Sequence, residues 1–397
     1  MSNTQRKNVP ELRFPGFEGE WEEKKLGEFC EFNNGINAKK EQYGMGRKFI
    51  NVLDILNNNF ITYENIIGKV SVPENVEKNN KVEFGDLVFL RSSETREDVG
   101  LCNVYLDKNY ALYGGFIIRG KKVSDYNPIF LKEALNIPKK RYEIGSAAGG
   151  STRFNVSQDI LRKINVKFPP IEEQQKIGDL FSKLDRQIEL EEQKLELLQQ
   201  QKKGYMQKIF SQELRFKDEN GNDYPEWENK FIKDIFIFEN NRRKPITSSL
   251  REKGLYPYYG ATGIIDYVKD YLFNNEERLL IGEDGAKWGQ FETSSFIANG
   301  QYWVNNHAHV VKSNDHNLFF MNYYLNFKEL RAFVTGNAPA KLTHANLCNI
   351  NFKIPCLTEQ DKVSALLKSI DNKMNNQMNR IELLKERKKG LLQKMFV

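Results

Sequence analysis

The sequence predicts an α+β chain made by internal tandem duplication: two globular heads of mixed α/β structure joined by two long helices that form an antiparallel coiled coil. Three observations support this. The chain has 397 residues, too many for one ordinary core, so at least two domains are expected. The segment that begins at Ile171 recurs without a gap at Leu357. Both copies place apolar residues at alternating spacings of four and three, the pattern of a helix that has a partner.

The duplication reaches beyond the helices. Glu173-Gln174 recurs as Glu359-Gln360, Glu196-Leu197-Leu198 as Glu382-Leu383-Leu384, and Lys202-Lys203-Gly204 as Lys388-Lys389-Gly390. Upstream, Ile164 to Pro169 lies over Ile350 to Pro355. At the front of each half, Glu11-Leu12-Arg13-Phe14 returns as Glu213-Leu214-Arg215-Phe216, followed by Trp21 or Trp227. The resulting division is residues 1–170 for the first head, 171–210 for the first long helix, 211–356 for the second head and 357–397 for the second helix. The ends of the two copies are alike and the middles are not.

In the first helix the seam runs Ile177, Phe181, Leu184, Ile188, Glu191, Leu195, Leu198, Lys202, Tyr205, Ile209. In the second it runs Val363, Leu367, Ile370, Met374, Gln377, Ile381, Leu384, Lys388, Leu391, Met395. Polar residues interrupt both seams at the same two places, Glu191 with Gln377 and Lys202 with Lys388. Such residues lower stability and fix register. Two matched seams favour mutual pairing over packing of each helix on its own head, and the intervening head makes the antiparallel sense easier to close. A seam from Ile177 to Ile209 would be about 50 Å long, enough for heads at its ends to meet one duplex about a helical turn apart.

Each middle reads as strands with one helix. In the first head Phe49–Leu53, Asp86–Leu90 and Gly115–Ile118 are expected strands, Pro128–Leu135 a helix with Pro in its first turn, and a short helix is expected near Ser157. In the second, Arg278–Ile281 and Tyr302–Val304 are expected strands and Phe319–Phe333 a helix. The loops after strands carry the recognition chemistry. In the first head these are Arg91, Ser92, Ser93, Thr95 and Arg96, with Ser151, Thr152 and Arg153 beyond a Gly-Gly pair. In the second they are Tyr259, Gly260 and Thr262, then Glu283, Asp284, Lys287 and Trp288, then Lys341. Arginine reads guanine and carboxylates accept from cytosine, while Ser, Thr, Lys and backbone amides hold phosphates. Their concentration where the copies differ points to two different DNA sequences being read.

Other chemistries lack their residues. The net charge of +6 suits a polyanionic partner. The four cysteines, Cys30, Cys102, Cys348 and Cys356, form no C-x-x-C pair, which argues against a zinc ribbon and suits a reducing cytoplasm. The N-terminal stretch Met1–Phe14 has no apolar leader core, and no run approaches the ~18 residues of a membrane span, so no membrane association is expected. Gly115–Lys122 imitates a phosphate loop, but Lys122 stands where a magnesium-binding hydroxyl is needed and the intervening residues suit a strand. His307 and His309 have no further ligand at metal spacing. Two rival readings remain: a magnesium-dependent nuclease using Glu228 and Lys230, and a coiled-coil scaffold that binds proteins.

The Glu-Gln helix starts at Glu173 and Glu359 behind a Pro, the Lys-Lys-Gly-x-x-Gln-Lys-x-Phe ends at Lys202 and Lys388, the joining stretch Gln212–Asp218 and the Tyr258–Gly263 run resemble the specificity subunits of type I restriction–modification systems. The resemblance covers essentially the whole chain. It implies that each head is a target-recognition domain for one half of a bipartite, asymmetric double-stranded DNA site, and that the helices space the halves. It also implies two docked methyltransferase (modification) subunits carrying S-adenosylmethionine and adenine-N6 methylation, and restriction subunits adding ATP-driven, magnesium-dependent translocation and cleavage. This chain itself would bind no cofactor and would not be an enzyme. One departure is the stretch Met374–Met378, poor in strong seam residues.

Overall fold

The computed structural model describes residues 8–336 and 340–397; the stretch inspected for a leader lies partly outside them. The chain forms two compact units, Met1–Glu192 with Arg380–Val397, and Gln193–Asn379. Each unit therefore contains one head and part of both long helices.

Unit 1 begins with β1 (Glu22–Lys25), β2 (Cys30–Asn34), β3 (Tyr43–Ile50), α1 (Val52–Asn57), β4 (Lys69–Val70) and α2 (Glu74–Asn79). It continues through β5 (Leu87–Leu90), β6 (Ser92–Ser93), β7 (Cys102–Val104), β8 (Leu112–Tyr113) and β9 (Ile117–Lys122). The head closes with α3 (Pro128–Asn136), α4 (Pro138–Ala147), β10 (Phe154–Asn155), α5 (Gln158–Lys163) and β11 (Asn165–Phe168), and α6 (Ile171–Phe210) follows. Unit 2 contains β12 (Glu228–Phe231), α7 (Ile232–Ile235), β13 (Ile237–Phe238), β14 (Lys253–Tyr259), β15 (Ile264–Val268) and β16 (Arg278–Gly282). Then come β17 (Ser295–Ala298), β18 (Trp303–Val304), β19 (Ala308–Lys312), α8 (Leu318–Phe327), α9 (His344–Cys348), β20 (Asn351–Ile354) and α10 (Leu357–Met395).

The two heads share one topology. A four-stranded antiparallel sheet has the order β2-β9-β5-β7 in unit 1 and β13-β19-β16-β17 in unit 2. A three-stranded sheet, β4-β3-β8 or β15-β14-β18, has its last pair parallel. A ribbon, β1-β11 or β12-β20, brings the start of each head beside its end. The sequence similarity of the ends thus continues as structural similarity through the dissimilar middles. Successive strand residues point to opposite faces, and both faces of these sheets are covered: Val88 and Ile117 lie in one core cluster and Phe89 and Ile118 in another, as Leu280 with Val310 and Ile281 with Val311 do in the other head.

Most expected elements are present, with two differences. Phe49 and Ile50 end β3, but Val52 and Leu53 begin α1, because Asp54 accepts the backbone N–H of Asn51 at 2.6 Å and starts a helix there. The expected helix Phe319–Phe333 stops at Phe327; Lys328 is extended and a 3₁₀ turn follows at Arg331–Phe333. The chain turns there because the N–H of Leu330 bonds to the carbonyl of Trp288 at 2.8 Å. Gly115–Lys122, excluded as a phosphate loop, supplies the turn into β9 and β9 itself, with Arg119 directed inward toward Asp86. Among the described residues no helix is long and apolar enough to cross a membrane.

Every seam position named from the sequence is buried or half-buried. In unit 1 the helix segments run antiparallel, since Asp185 pairs with Lys388, Glu191 with Arg380 and Glu192 with Lys385. In unit 2 Lys202 pairs with Asp371 in the same sense. An aromatic residue at the end of α6 and another just beyond α10 each pack into the head of their unit. Phe396 lies among Trp21, Phe130 and Phe181, and Phe210 among Phe320, Tyr324 and Phe327.

The repeated motifs now have physical roles. Arg13 grips Glu173 with two hydrogen bonds of 2.8 Å, and Arg215 grips Glu359 at 3.2 and 2.7 Å. Gln174 accepts the N–H of Asn127, the N-cap of α3, and donates to the carbonyl of Pro169. Gln360 does the same with Asn317 and Pro355. Helix and head touch closely here: a Cβ on Gly178 would fall 2.3 Å from Asn127 Oδ1. The second copy has Ser364 at this position, and its hydroxyl donates to Asn317 Oδ1 at 3.0 Å.

One asymmetry yields a prediction. Trp227 Nε1 also donates to Glu359, whereas Trp21 Nε1 has no partner. Arg13→Ala leaves the buried Glu173 without its cation and should cost about 3 kcal/mol. Arg215→Ala, with the indole still in place, should cost about 2 kcal/mol. Urea unfolding followed by hydrogen exchange in each unit measures the order, and a larger loss from Arg215→Ala would contradict this account.

Candidate nucleic-acid interface

In unit 1, β5 runs into the loop that begins at Arg91. Its residues Ser92 and Ser93 pair antiparallel with Asn155 and Phe154, which brings the loop at Arg91–Arg96 together with the loop that carries Ser151, Thr152 and Arg153. The last three are exposed. The Arg153 guanidinium stands 5.6 Å from the ring of Phe116, itself half exposed, and Arg91 Nη1 donates to the carbonyl of Gly115 at 3.2 Å. Beside them is an open hollow of about 430 Å³ lined by Asn34, Arg91, Asn155, Ser157, Gln158 and Arg162. Two named residues are turned to internal work. Arg96 donates to the carbonyls of Gly145 and Ala148, and Thr95 Oγ1 bonds to Asp98 at 2.7 Å.

Unit 2 places its named residues at the same station. The loop after β16 crosses to the segment before α9 through a bridge between Asp284 and Lys341. Lys341 Nζ lies 3.2 Å from Asp284 Oδ2, and His307 Nδ1 lies 2.5 Å from Asp284 Oδ1. Glu283 is held by Arg243 at 2.7 Å. The turn Tyr259–Gly263 lies against this loop: a Cβ on Gly282 would fall 3.1 Å from the carbonyl of Ala261 and 2.3 Å from Ala286 Cβ, so only glycine fits. Gly260 is buried in that turn and Thr262 is exposed at its tip. Tyr259 is half-buried against Phe296 and Tyr302. Lys287 is exposed, whereas Trp288 is buried and donates its indole N–H to the carbonyl of Gly282 at 3.3 Å.

The exposed groups of the two heads differ in kind. Unit 1 offers arginines, hydroxyls and amides around an aromatic ring. Unit 2 offers a Lys–Asp–His cluster. Sequence reasoning missed Asn34, Asn155, Gln158 and Arg243. His307, which has no further ligand at metal spacing in the sequence, pairs with Asp284. Glu228 and Lys230, the nuclease candidates, are two residues apart on β12 with Nζ 3.7 Å from the carboxylate. Among the described residues no group of three His, Cys, Asp or Glu is placed to hold a metal ion.

Behind the second cluster, His309 is buried in β19. Asn240 Oδ1 accepts the N–H of Val310, so its amide Nδ2 donates to His309 Nδ1 at 3.2 Å, and His309 Nε2 donates to the carbonyl of Leu342. These bonds select the neutral ring. Burial holds its pKa below the ordinary 6.5, the Leu342 bond and Glu283 opposing and Arg243 and His344 assisting.

The model of the family described as "Type I restriction modification DNA specificity domain" matches this chain twice, at residues 18–200 and 224–386. The chain belongs to that family. Among relatives, it is 40% identical over 147 residues to a type I restriction enzyme specificity subunit of Haemophilus influenzae, covering 36% of this chain and 37% of that one. It is 23% identical over 408 residues to the MjaX specificity subunit of Methanocaldococcus jannaschii, covering 94% and 92%. The chain thus spans just over a third of the first relative and nearly all of the second. In fold it is similar to the crystal structure of a type I restriction–modification S subunit from M. genitalium, with a TM-score of 0.65 and 16% identity over 98% of this chain and 99% of that one. The role of a specificity subunit is DNA target recognition, not catalysis, within a system that assembles with other subunits.

The neutral His309 gives a pH signature. As pH falls from about 6.5, the unfolded chain takes up this proton first, so the histidine's contribution, present above that value, is lost through the folded pKa. Amide protection in β16 and β19, measured relative to intrinsic exchange at each pH, should fall over that window. His309→Gln keeps a donor and an acceptor and should remove the dependence. A pH profile unchanged by this substitution would place the titration elsewhere.

Proposed function

We propose that the chain reads a bipartite, asymmetric site in double-stranded DNA, one half by each head. The supporting observation is the double family match on a single chain whose heads share topology while their exposed loops differ in chemistry. In the first head Arg91, Ser92, Ser93 and Arg153 reach bases and phosphates, Ser151 and Thr152 hold the backbone, and Thr95 and Arg96 shape the loop. In the second, Asp284, Lys341, Lys287 and Thr262 make the contacts, and Tyr259, Gly260, Glu283 and Trp288 position them. The paired helices space the two halves and dock two modification subunits. Those partners carry S-adenosylmethionine and methylate adenine N6, and restriction subunits add ATP- and magnesium-dependent translocation and cleavage. This chain binds none of these cofactors and works in the cytoplasm.

Selection of bound duplexes from a randomised pool, with the modification subunits present, tests this. Arg153→Ala should weaken discrimination by about 1–3 kcal/mol in one half-site alone, and Lys341→Ala should act on the other half alone. Loss of preference in both halves from either change contradicts one head per half. Inserting four residues into both helices should lengthen the gap and leave both half-sites unchanged; an unaltered gap removes the helices as the spacer.

A further inference from the structure

Each apolar seam is interrupted by a lysine, and the structure gives both lysines built sites. In unit 1 Lys388 Nζ lies 2.7 Å from Asp185 Oδ1 and 3.2 Å from Glu133 Oε1. Glu133 also takes Lys132 at 2.7 Å, and the Asp185 and Glu133 side chains are only 5% and 4% exposed. In unit 2 Lys202 Nζ lies 2.6 Å from Asp371 Oδ1 and 5.0 Å from the centre of the Tyr323 ring. The Tyr323 hydroxyl donates to Asp371 Oδ2 at 2.7 Å. Asp185 and Asp371 are separated by the same interval as Lys202 and Lys388, so the cross-pair occurs twice. Each site joins three elements: α6, α10 and the head helix, α3 in one unit and α8 in the other.

We infer that these two lysine–carboxylate pairs are register pins, positioning residues that admit one alignment of the long helices and hence one gap between half-sites. This rests on the reading of the helices as the spacer. The effect comes from a penalty more than from attraction. An apolar seam repeats, and sliding exchanges one aliphatic contact for another. The same slide takes Lys388 away from the buried Asp185, and an unpaired buried charge is strongly disfavoured; Lys202 and Asp371, 23% and 32% exposed, carry a smaller penalty of the same kind. A slip of one turn moves a helix about 5.4 Å, more than the roughly 3.4 Å per base pair, so a register error changes the gap. Glu133 and Tyr323 tie the head helix to the same point, and the head cannot shift independently of the pin. Burial opposes the charge on Lys388, yet Glu133 and Asp185 hold its pKa above the ordinary lysine value, so the pin is charged at neutral pH.

The test uses the full chain with its modification subunits and a pool of duplexes in which both half-sites are fixed and the gap varies. Lys202→Glu, Asp371→Lys, the double reversal and Lys202→Met are compared with the unchanged chain. Each single reversal, and Lys202→Met, should lower the preference for the native gap about tenfold without altering the bases read in either half. The double reversal should restore a single gap. Lys202→Met removes the charge at similar volume and keeps the test decisive where a single reversal fails to fold. If its melting shows a folded protein that selects the native gap as sharply as before, the pairs are structural only and the inference is overturned. If the four-residue insertion leaves the gap unchanged, the spacer reading has failed, and the pin with it.

Discussion

Two adjacent side chains at the start of each long helix, a glutamate and a glutamine, hold the frame together. Glu173 is buried and takes the Arg13 guanidinium; Gln174 takes a backbone N–H from the head helix and gives its amide to Pro169. Four parts of unit 1 therefore meet at two residues: the N-terminal arm, the ribbon's last strand, α3 and α6. A buried carboxylate persists only when its charge and lone pairs are answered. The arm must close over the helix or the helix start cannot stay buried. Glu359 and Gln360 make the same junction in unit 2 with Arg215, Asn317 and Pro355.

With the frame settled by this junction, the heads can vary in sequence without varying in topology. Strand order, ribbon pairing and the parallel β3–β8 and β14–β18 contacts are the same in both units. The difference is concentrated in what the loops present. The crossing after the central strand joins serines to β10 in one head, and in the other joins an aspartate to a lysine. Backbone pairing sets the station and the side chains set what is offered there. Recognition chemistry can thus change while the core is untouched.

The frame was legible because it is written twice. Repetition marked Glu173-Gln174, Arg13 and Trp21 as fixed points, and the matched seams marked the helices as partners. The function of Arg13 was not legible, because its partner lies 160 residues away. Local propensity also misled where a cap overrode it: Asp54 turns apparently strand-like Val52 and Leu53 into a helix. At the candidate interface the sequence named loops that the structure brings together, but not which of their side chains turn inward. Arg96, Glu283 and Trp288 look like reading groups, yet their polar atoms satisfy carbonyls or an arginine inside the head. A loop residue turns outward or inward according to what lies within reach, and the groups within reach come from distant segments. Arg243 and Asn34 were missed for the same reason.

The packing of Phe396 beside Trp21, Phe130 and Phe181 has a consequence for biosynthesis. Domains generally fold as units during synthesis, the N-terminal one first. Here the first head is made early, but the segment that covers its aromatic floor, Arg380–Val397, emerges only after the whole of unit 2. Until then Trp21 and Phe130 lack their lid and the nascent chain carries an apolar opening. A premature stop anywhere in the second copy would therefore leave the first head unsealed as well, so damage to one reader's message is felt by both.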